Sequence, residues 1–135
     1  HLIILCGHYE GIDSRIDDLV DEQISIGDYV LTGGELAALV LIDSITRLQE
    51  GVINASSHLD DTFSENLLEY PQYTKPQVYE GYGVPEVLLS GHHDNIAYYR
   101  RYQSIKETYL KRPDLLKDLS SKDLEILNKV KEELK

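Results

Sequence analysis

Residues 24–35 read ISIGDYVLTGGE, and the apolar stretch LAALVLIDSITRLQ follows at 36–49. Two short apolar runs, Ile24–Ile26 and Tyr29–Thr32, each stop at glycine: Gly27 after the first, Gly33-Gly34 after the second. The pattern predicts two short strands, or one strand with a glycine break, feeding a helix over Glu35–Glu50. That helix is apolar around most of its circumference, which predicts burial on nearly every side. Gly51 reads as its C′ glycine. Upstream, Leu2–Cys6 reads as a buried strand, Gly7–Asp13 as a loop and Ile12–Val20 as a short acidic segment with helical spacing. Strand, loop, strand and helix in the first fifty residues predict an α/β layer.

The second half has a different character. Residues 54–66, NASSHLDDTFSEN, are polar and without periodicity, and read as an exposed linker. Residues 70–86 hold Pro71, Pro76, Gly81, Gly83 and Pro85 and read as irregular. Glu86–Ser90 is a short apolar run ended by Gly91. Asp94 or Asn95 is the expected cap of a helix running to about Lys111, stopped at Arg112-Pro113. Ser120 or Ser121 is the expected cap of a last amphipathic helix with Leu124, Leu127, Val130 and Leu134 inward.

The length of 135 residues suits one modest domain or two small ones. A single cysteine, Cys6, excludes an internal disulfide framework and fits a reducing cytoplasm. No apolar run approaches the ~20 residues of a membrane span. The sequence opens on His1 in what reads as mid-strand, and we expect it to be a fragment of a longer chain. The net charge of −11 argues against nucleic acid at first sight. Its distribution is uneven: residues 1–70 have only Arg15 and Arg47 against fourteen acids, whereas residues 71–135 are close to neutral. Within Asp94–Arg112, Arg100, Arg101, Lys106, Lys111 and Arg112 face only Asp94 and Glu107. Eight of the ten tyrosines fall between Tyr70 and Tyr109. A basic, aromatic segment of this kind can serve RNA.

Gly7, Gly27 and Gly33-Gly34 all lie where an apolar run ends. Any one of them reads most simply as a turn. Three such ends, flanked by Tyr9, Glu10, Asp28 and Tyr29, point to one ligand approached closely by main chain. A phosphate is disfavoured, because Glu35 stands at the helix start with no Lys or Arg near it. An uncharged hydrogen-bonding ring such as adenine suits the residues better. Adjacent His92 and His93 have no third ligand at a suitable spacing, so no metal site is expected.

Four motifs, LCGHYEGID at 5–13, SIGDYVLTGGELAALVLIDSITR at 25–47, LLEYPQYTKP at 67–76 and VPEVLLSGHH at 84–93, carry a resemblance. Their order and spacing are similar to those of the bacterial tRNA (guanine-N1)-methyltransferases, the TrmD family of trefoil-knotted SPOUT methyltransferases. The resemblance covers most of residues 3–116. It implies an α/β fold: the C-terminal part of a SPOUT trefoil-knot domain over 1–53, a flexible linker over 54–68 and a small, mostly α-helical tRNA-binding domain over 69–135. It implies methyl transfer from S-adenosylmethionine to N1 of the guanosine 3′ of the anticodon, by a homodimer whose active site is shared between subunits. The implied donor pocket is Gly7, Tyr9, Glu10, Ile26, Gly27, Asp28, Tyr29, Val30, Leu31, Gly33 and Gly34.

By the same resemblance Asp61 is the catalytic base, and Arg47 steadies charge on the guanine oxygen or orders the Asp61 loop. Lys75, Arg100, Arg101, Lys106 and Arg112 are the implied RNA contacts. A Mg2+ ion is left open as an auxiliary. His8 stands where the family usually has arginine, and IAYYRR at 96–101 departs from a more basic, tryptophan-containing pattern. The family's enzymes have roughly as much chain again before the position of His1, so this chain alone is expected to bind donor poorly and not to methylate. The alternatives are a non-catalytic RNA-binding module of the same fold and a SPOUT enzyme acting at another RNA position.

Overall fold

A computed structural model describes residues 1–52 and 66–135. The chain divides into two compact units, His1–Ala55 and Ser56–Lys135. The residues expected to form a linker lie almost wholly outside the described residues.

The first unit holds one long helix, α1 (Glu35–Thr46), and a short 3-10 helix at Ser14–Leu19. Asp13 caps the 3-10 helix by accepting from the Arg15 N–H at 2.9 Å. The strands expected at Leu2–Cys6, Ile24–Ile26 and Tyr29–Thr32 do not form. A strand exists only where another strand satisfies its N–H and C=O groups. Among the described residues of this unit, the one such pairing is an isolated antiparallel bridge between His8 and Gly33. The neighbouring Gly34 N–H donates to the Gly7 carbonyl at 3.0 Å.

The expected burial of α1 is also corrected. Of its residues only Ala38 is buried, while Leu36, Leu39, Val40, Ile42 and Ile45 are exposed. The sequence made this helix apolar all round, and the first unit supplies no layers to cover it. The helix stops at Thr46, with Arg47 as its C-cap. Gly51 is therefore not its C′ residue; it sits in a following turn at φ +83°.

The second unit has a core. Its elements run β1 (Val78–Tyr79), β2 (Tyr82–Gly83), α2 (Glu86–Leu89), α3 (His93–Lys111), a 3-10 helix at Pro113–Leu115 and α4 (Ser121–Glu133). The β1–β2 hairpin falls in the segment expected to be irregular. It pairs Val78 with Gly83 and Tyr79 with Tyr82. Its two-residue loop is Glu80-Gly81, with φ +50° and +86°. Positive φ at both positions is the tight hairpin turn whose twist matches the strands, and glycine takes the second position without steric cost.

Helix α3 begins one turn's edge earlier than expected, with His92 as N-cap and no side-chain cap, so Asp94 and Asn95 lie in its first turn. It ends before Pro113, as the sequence requires. Helix α4 is capped by Ser120, whose Oγ accepts from the Asp123 N–H at 3.2 Å. The inward face of α4 is Asp123, Ile126, Leu127 and Val130, whereas Leu124 and Leu134 are exposed. Leu127 and Val130 of the expected face are buried, and Asp123 and Ile126 complete it at i, i+3, i+4, i+7 in place of Leu124 and Leu134.

The core joins Leu67, Ile105, Ile126, Leu127 and Val130, with Tyr102, Tyr109, Leu116 and Leu119 packed around it. Ile105, Thr108 and Val130 are fully buried. Thr108 is the buried polar member and is satisfied twice. Its Oγ1 accepts from the Leu68 N–H at 2.8 Å and donates to the Ser104 carbonyl at 2.6 Å. At the core's edge, Arg101 grips Asp123 with Nε at 2.8 Å and Nη2 at 2.9 Å. That guanidinium, helped by the Ser120 hydroxyl at 2.7 Å, holds the Asp123 carboxyl below its ordinary value of 3.8.

Two stability predictions follow from these contacts. Thr108→Val keeps the shape but leaves the buried Leu68 N–H without an acceptor, at a cost of about 1–3 kcal/mol. Chemical denaturation of the full-length protein, with a probe in this unit, would read the loss. Asp123→Asn removes the charge-assisted pair. Because the folded carboxyl titrates low, its contribution is complete above pH 3.8 and disappears as pH falls through the folded value. The stability gap between wild type and Asp123→Asn should therefore be widest near neutrality and close in acid.

Candidate functional site

In the first unit, the implied donor residues are partly gathered. The Gly7–His8 and Gly33–Gly34 segments lie side by side, joined by the His8–Gly33 bridge and the Gly34-to-Gly7 hydrogen bond. The seam is tight. A Cβ on Gly34 would lie 3.0 Å from the Cys6 Cα and 3.4 Å from the Gly7 nitrogen, both backbone atoms that cannot swing away. One on Gly7 would meet the Ile12 Cγ1 at 2.6 Å. His8 Nε2 also forms an ion pair with Glu35, which ties the loop to the start of α1. This contact uses His8, the position that departs from the resemblance.

Tyr9 projects from the seam almost fully exposed, at φ +58°. Glu10 is exposed beside it. Tilted rings of His8 and Tyr9 lie 5.9 Å apart. The Ile26–Leu31 stretch is a separate turn. It closes on itself through the Tyr29 N–H to Gly27 carbonyl bond at 3.0 Å and the Ser25 hydroxyl to Gly27 carbonyl bond at 3.3 Å. Among the described residues it donates no hydrogen bond to the Gly7–Gly34 seam. Val30 is 98% exposed and Tyr29 and Asp28 also face solvent. The structure thus brings Gly7, Gly33 and Gly34 together and leaves Ile26, Gly27, Asp28, Tyr29, Val30 and Leu31 apart from them.

Arg47 caps α1, its N–H donating to the Asp43 carbonyl at 3.1 Å, and is half-buried. Asp61 lies outside the described residues.

In the second unit, three of the five implied RNA cations meet carboxylates of the same unit. Arg101 holds Asp123, Lys106 donates to Glu133 at 2.5 Å, and Arg112 forks onto Asp114 at 2.9 and 2.7 Å. Arg100 lies over the Tyr70 ring, 4.9 Å from its centroid. Lys75 is exposed. The expected basic surface is therefore largely internally neutralised, and Glu133 and Asp123 were the residues that the charge pattern did not reveal. Both come from α4, distant in sequence from the cations they meet.

Tyrosines populate one side of α3. Burial, then a hydrogen bond with Tyr73, pushes the Tyr99 phenol up; this contact docks the Tyr73 segment on the helix. The Tyr102 hydroxyl donates to Glu133, which pushes that phenol up to about 12. Lys129 donates to the Tyr98 hydroxyl at 3.2 Å and sits 5.6 Å from the Tyr98 ring centroid. His92 and His93 border a shallow hollow with Gly91 and Asp94. Among the described residues no group of three or more His, Cys, Asp or Glu side chains is arranged to hold a metal. Among them, too, no helix is long and apolar enough to cross a membrane.

The glycine seam and the tyrosine-rich helical unit can be set against known proteins. The tRNA (Guanine-1)-methyltransferase TrmD family profile matches residues 1–118, and the chain belongs to that family. A tRNA (guanine-N(1)-)-methyltransferase of Acholeplasma laidlawii is 59% identical over 99% of this chain and 56% of its own length. That of Spiroplasma kunkelii is 60% identical over 98% of this chain and 50% of its own. That of Streptococcus gordonii is 57% identical over 98% of this chain and 56% of its own. The chain spans about half the length of the curated relatives it matches.

The seam itself is testable. Gly34→Ala forces a methyl group onto the Cys6–Gly7 backbone, a clash that typically costs about 1–3 kcal/mol. The expected result is a lower melting temperature in a thermal melt. An unchanged melt would mean that the seam opens freely.

Proposed function

We propose that the protein of which this chain is part is a tRNA methyltransferase that methylates N1 of the guanosine 3′ of the anticodon. The observation that carries the reading is family membership over residues 1–118, together with 57–60% identity to relatives named tRNA (guanine-N(1)-)-methyltransferase. The whole protein would be a homodimer with a SPOUT trefoil knot, acting in the cytoplasm. The rest of the longer polypeptide would supply the sheet neighbours that Leu2–Cys6 and Tyr29–Thr32 lack here, and the cover for α1. Its domains would include a knot half over 1–53, a linker over 54–68 and a tRNA-binding domain over 69–135.

S-adenosylmethionine supplies an electrophilic methyl group when bound. Gly7, Gly33 and Gly34 suit a ligand approached by main chain because a side chain at each would meet a neighbour: Ile12 at Gly7, His8 and Glu35 at Gly33, and Cys6 at Gly34. Tyr9 and Glu10 would flank it, and the Ile26–Leu31 turn would offer main-chain groups to its adenine.

The acceptor atom dictates the remaining chemistry. Guanine N1 carries a proton at neutral pH, so its lone pair becomes available only as that proton leaves. Asp61 would accept it while N1 bonds to the incoming methyl group. Negative charge that grows on the guanine oxygen would be steadied by Arg47. In the second unit, Lys75 and Arg100 would contact phosphate, with Arg101, Lys106 and Arg112 contributing field from within their ion pairs.

The test uses the full-length polypeptide, labelled S-adenosylmethionine and two tRNA transcripts, with guanosine or adenosine 3′ of the anticodon. Label in the guanosine transcript alone is expected; label in neither overturns the proposal in favour of a non-catalytic RNA-binding relative. Asp61→Asn should keep donor affinity and lower transfer by about 10²- to 10⁴-fold. Loss of donor binding in that variant would make Asp61 structural instead.

A further inference from the structure

A groove of about 540 Å³ runs along α3 where it faces α2 and the end of α4. We propose that it is a nucleobase subsite: it takes one unpaired base of the RNA, other than the guanosine that is methylated. The inference rests on the RNA-binding reading above and adds to it a specific place and mode of contact.

The helix itself builds the groove. Asn95, Tyr98, Tyr102 and Lys106 recur at i, i+3, i+7 and i+11, so they share one face of α3. Tyr99 and Gln103 line the same groove from the adjacent row, and Val87 of α2 closes one side. The Tyr98 and Tyr102 rings lie 6.4 Å apart and are tilted by 36°. Tyr98 is 47% exposed, so its ring is open to a ligand while its neighbours are fixed. Tyr99 is pinned by Tyr73 and Tyr102 by Glu133.

The chemistry of the walls selects the ligand. Planar aromatic faces favour a planar ligand, and stacking on tyrosine is how proteins hold unpaired bases whatever their identity. The polar groups are amides, Asn95 and Gln103, which both donate and accept and so match the edge of a base. Charge is balanced at the far end by Lys106 against Glu133, which disfavours a strongly anionic or cationic occupant. Glu133 accepts from Tyr102 and Lys106, leaving part of its capacity of roughly four acceptor positions for ring N–H donors. Lys129, beside Tyr98, supplies a cation at the rim, where the attached phosphate of a stacked nucleotide would lie. The volume lies within the range of about 300–1,000 Å³ typical of small-ligand pockets. An acidic peptide would leave the aromatic faces and both amides unused.

The experiment measures equilibrium binding of the full-length protein to a tRNA transcript by fluorescence anisotropy, with no methyl transfer required. Tyr98→Ala should weaken binding by roughly 5- to 150-fold, the range for loss of one base–aromatic stack. Tyr98→Phe keeps the ring and should bind within about twofold of wild type. Tyr98 is half-exposed, so binding of both variants is compared at a temperature where their melts show them fully folded. A set of transcripts, each lacking one unpaired base, then locates the partner. One of them should bind wild type and Tyr98→Ala equally, because its stack is already gone. Unchanged affinity of Tyr98→Ala would overturn the proposal and leave the groove to a peptide ligand. Equal loss across every abasic transcript would overturn it as well, since no single base would then depend on Tyr98. Failure of methyl transfer in the wild-type protein would count against the enzymatic reading alone, because this binding assay does not depend on catalysis.

Discussion

The packing of α4 on one face of α3 organises the helical part of the second unit. Ser104, Ile105 and Thr108 of α3 turn inward together. Ile105 joins the apolar face of α4, and Thr108 holds the Leu68 backbone. A helix fixed in this way sets the direction of the turns before it. Tyr98 and Tyr102, seven and three residues before Ile105, continue its face beyond the core, and Tyr102 packs on the core's edge. Local order here is a consequence of burial rather than helix propensity, since Tyr98-Tyr99 and Thr108 are weak helix formers.

The first unit shows the opposite case. Its sequence is richer in apolar residues, yet it buries almost none of them. Hydrophobic burial needs a second surface, and sheet hydrogen bonding needs a second strand. Among the described residues, the glycine seam between Gly7 and Gly34 is where two of its segments pair main chain to main chain. It survives because removing the side chain from Gly34 lets one backbone approach another closely enough to bond. The same absence of side chains is what a ligand gripped by main chain would use, so structural and binding readings of these glycines coincide.

Electrostatics divides the molecule in another way. The first unit is strongly acidic, and the second balances its charges pair by pair. Arg101 with Asp123 and Lys106 with Glu133 join α3 to α4 across the core's rim, where partial exclusion of water makes such pairs more effective than on an open surface. Cations used in this way orient helices first. Affinity for a polyanion then falls to the less constrained residues and to aromatic stacking, which is insensitive to the net charge.

The sequence by itself determined the helices, because their signals are local: Pro113 stops α3, Ser120 caps α4, and apolar spacing marks α1. It determined the family through four motifs read in order, and with it the identity of the residues to watch. It could not decide which apolar runs become strands, because a strand is a property of a pair and the partner need not be nearby. The Glu80-Gly81 hairpin was the exception that local turn chemistry could have revealed. Nor could it decide which face of α4 is buried or which cations are paired, since Asp123 and Glu133 reach Arg101 and Lys106 only through the packing of α4 on α3. The tyrosine groove belongs to that same level. Its residues are visible in the sequence, but their convergence with Val87 and Glu133 exists only once α2 and α4 both lie against α3.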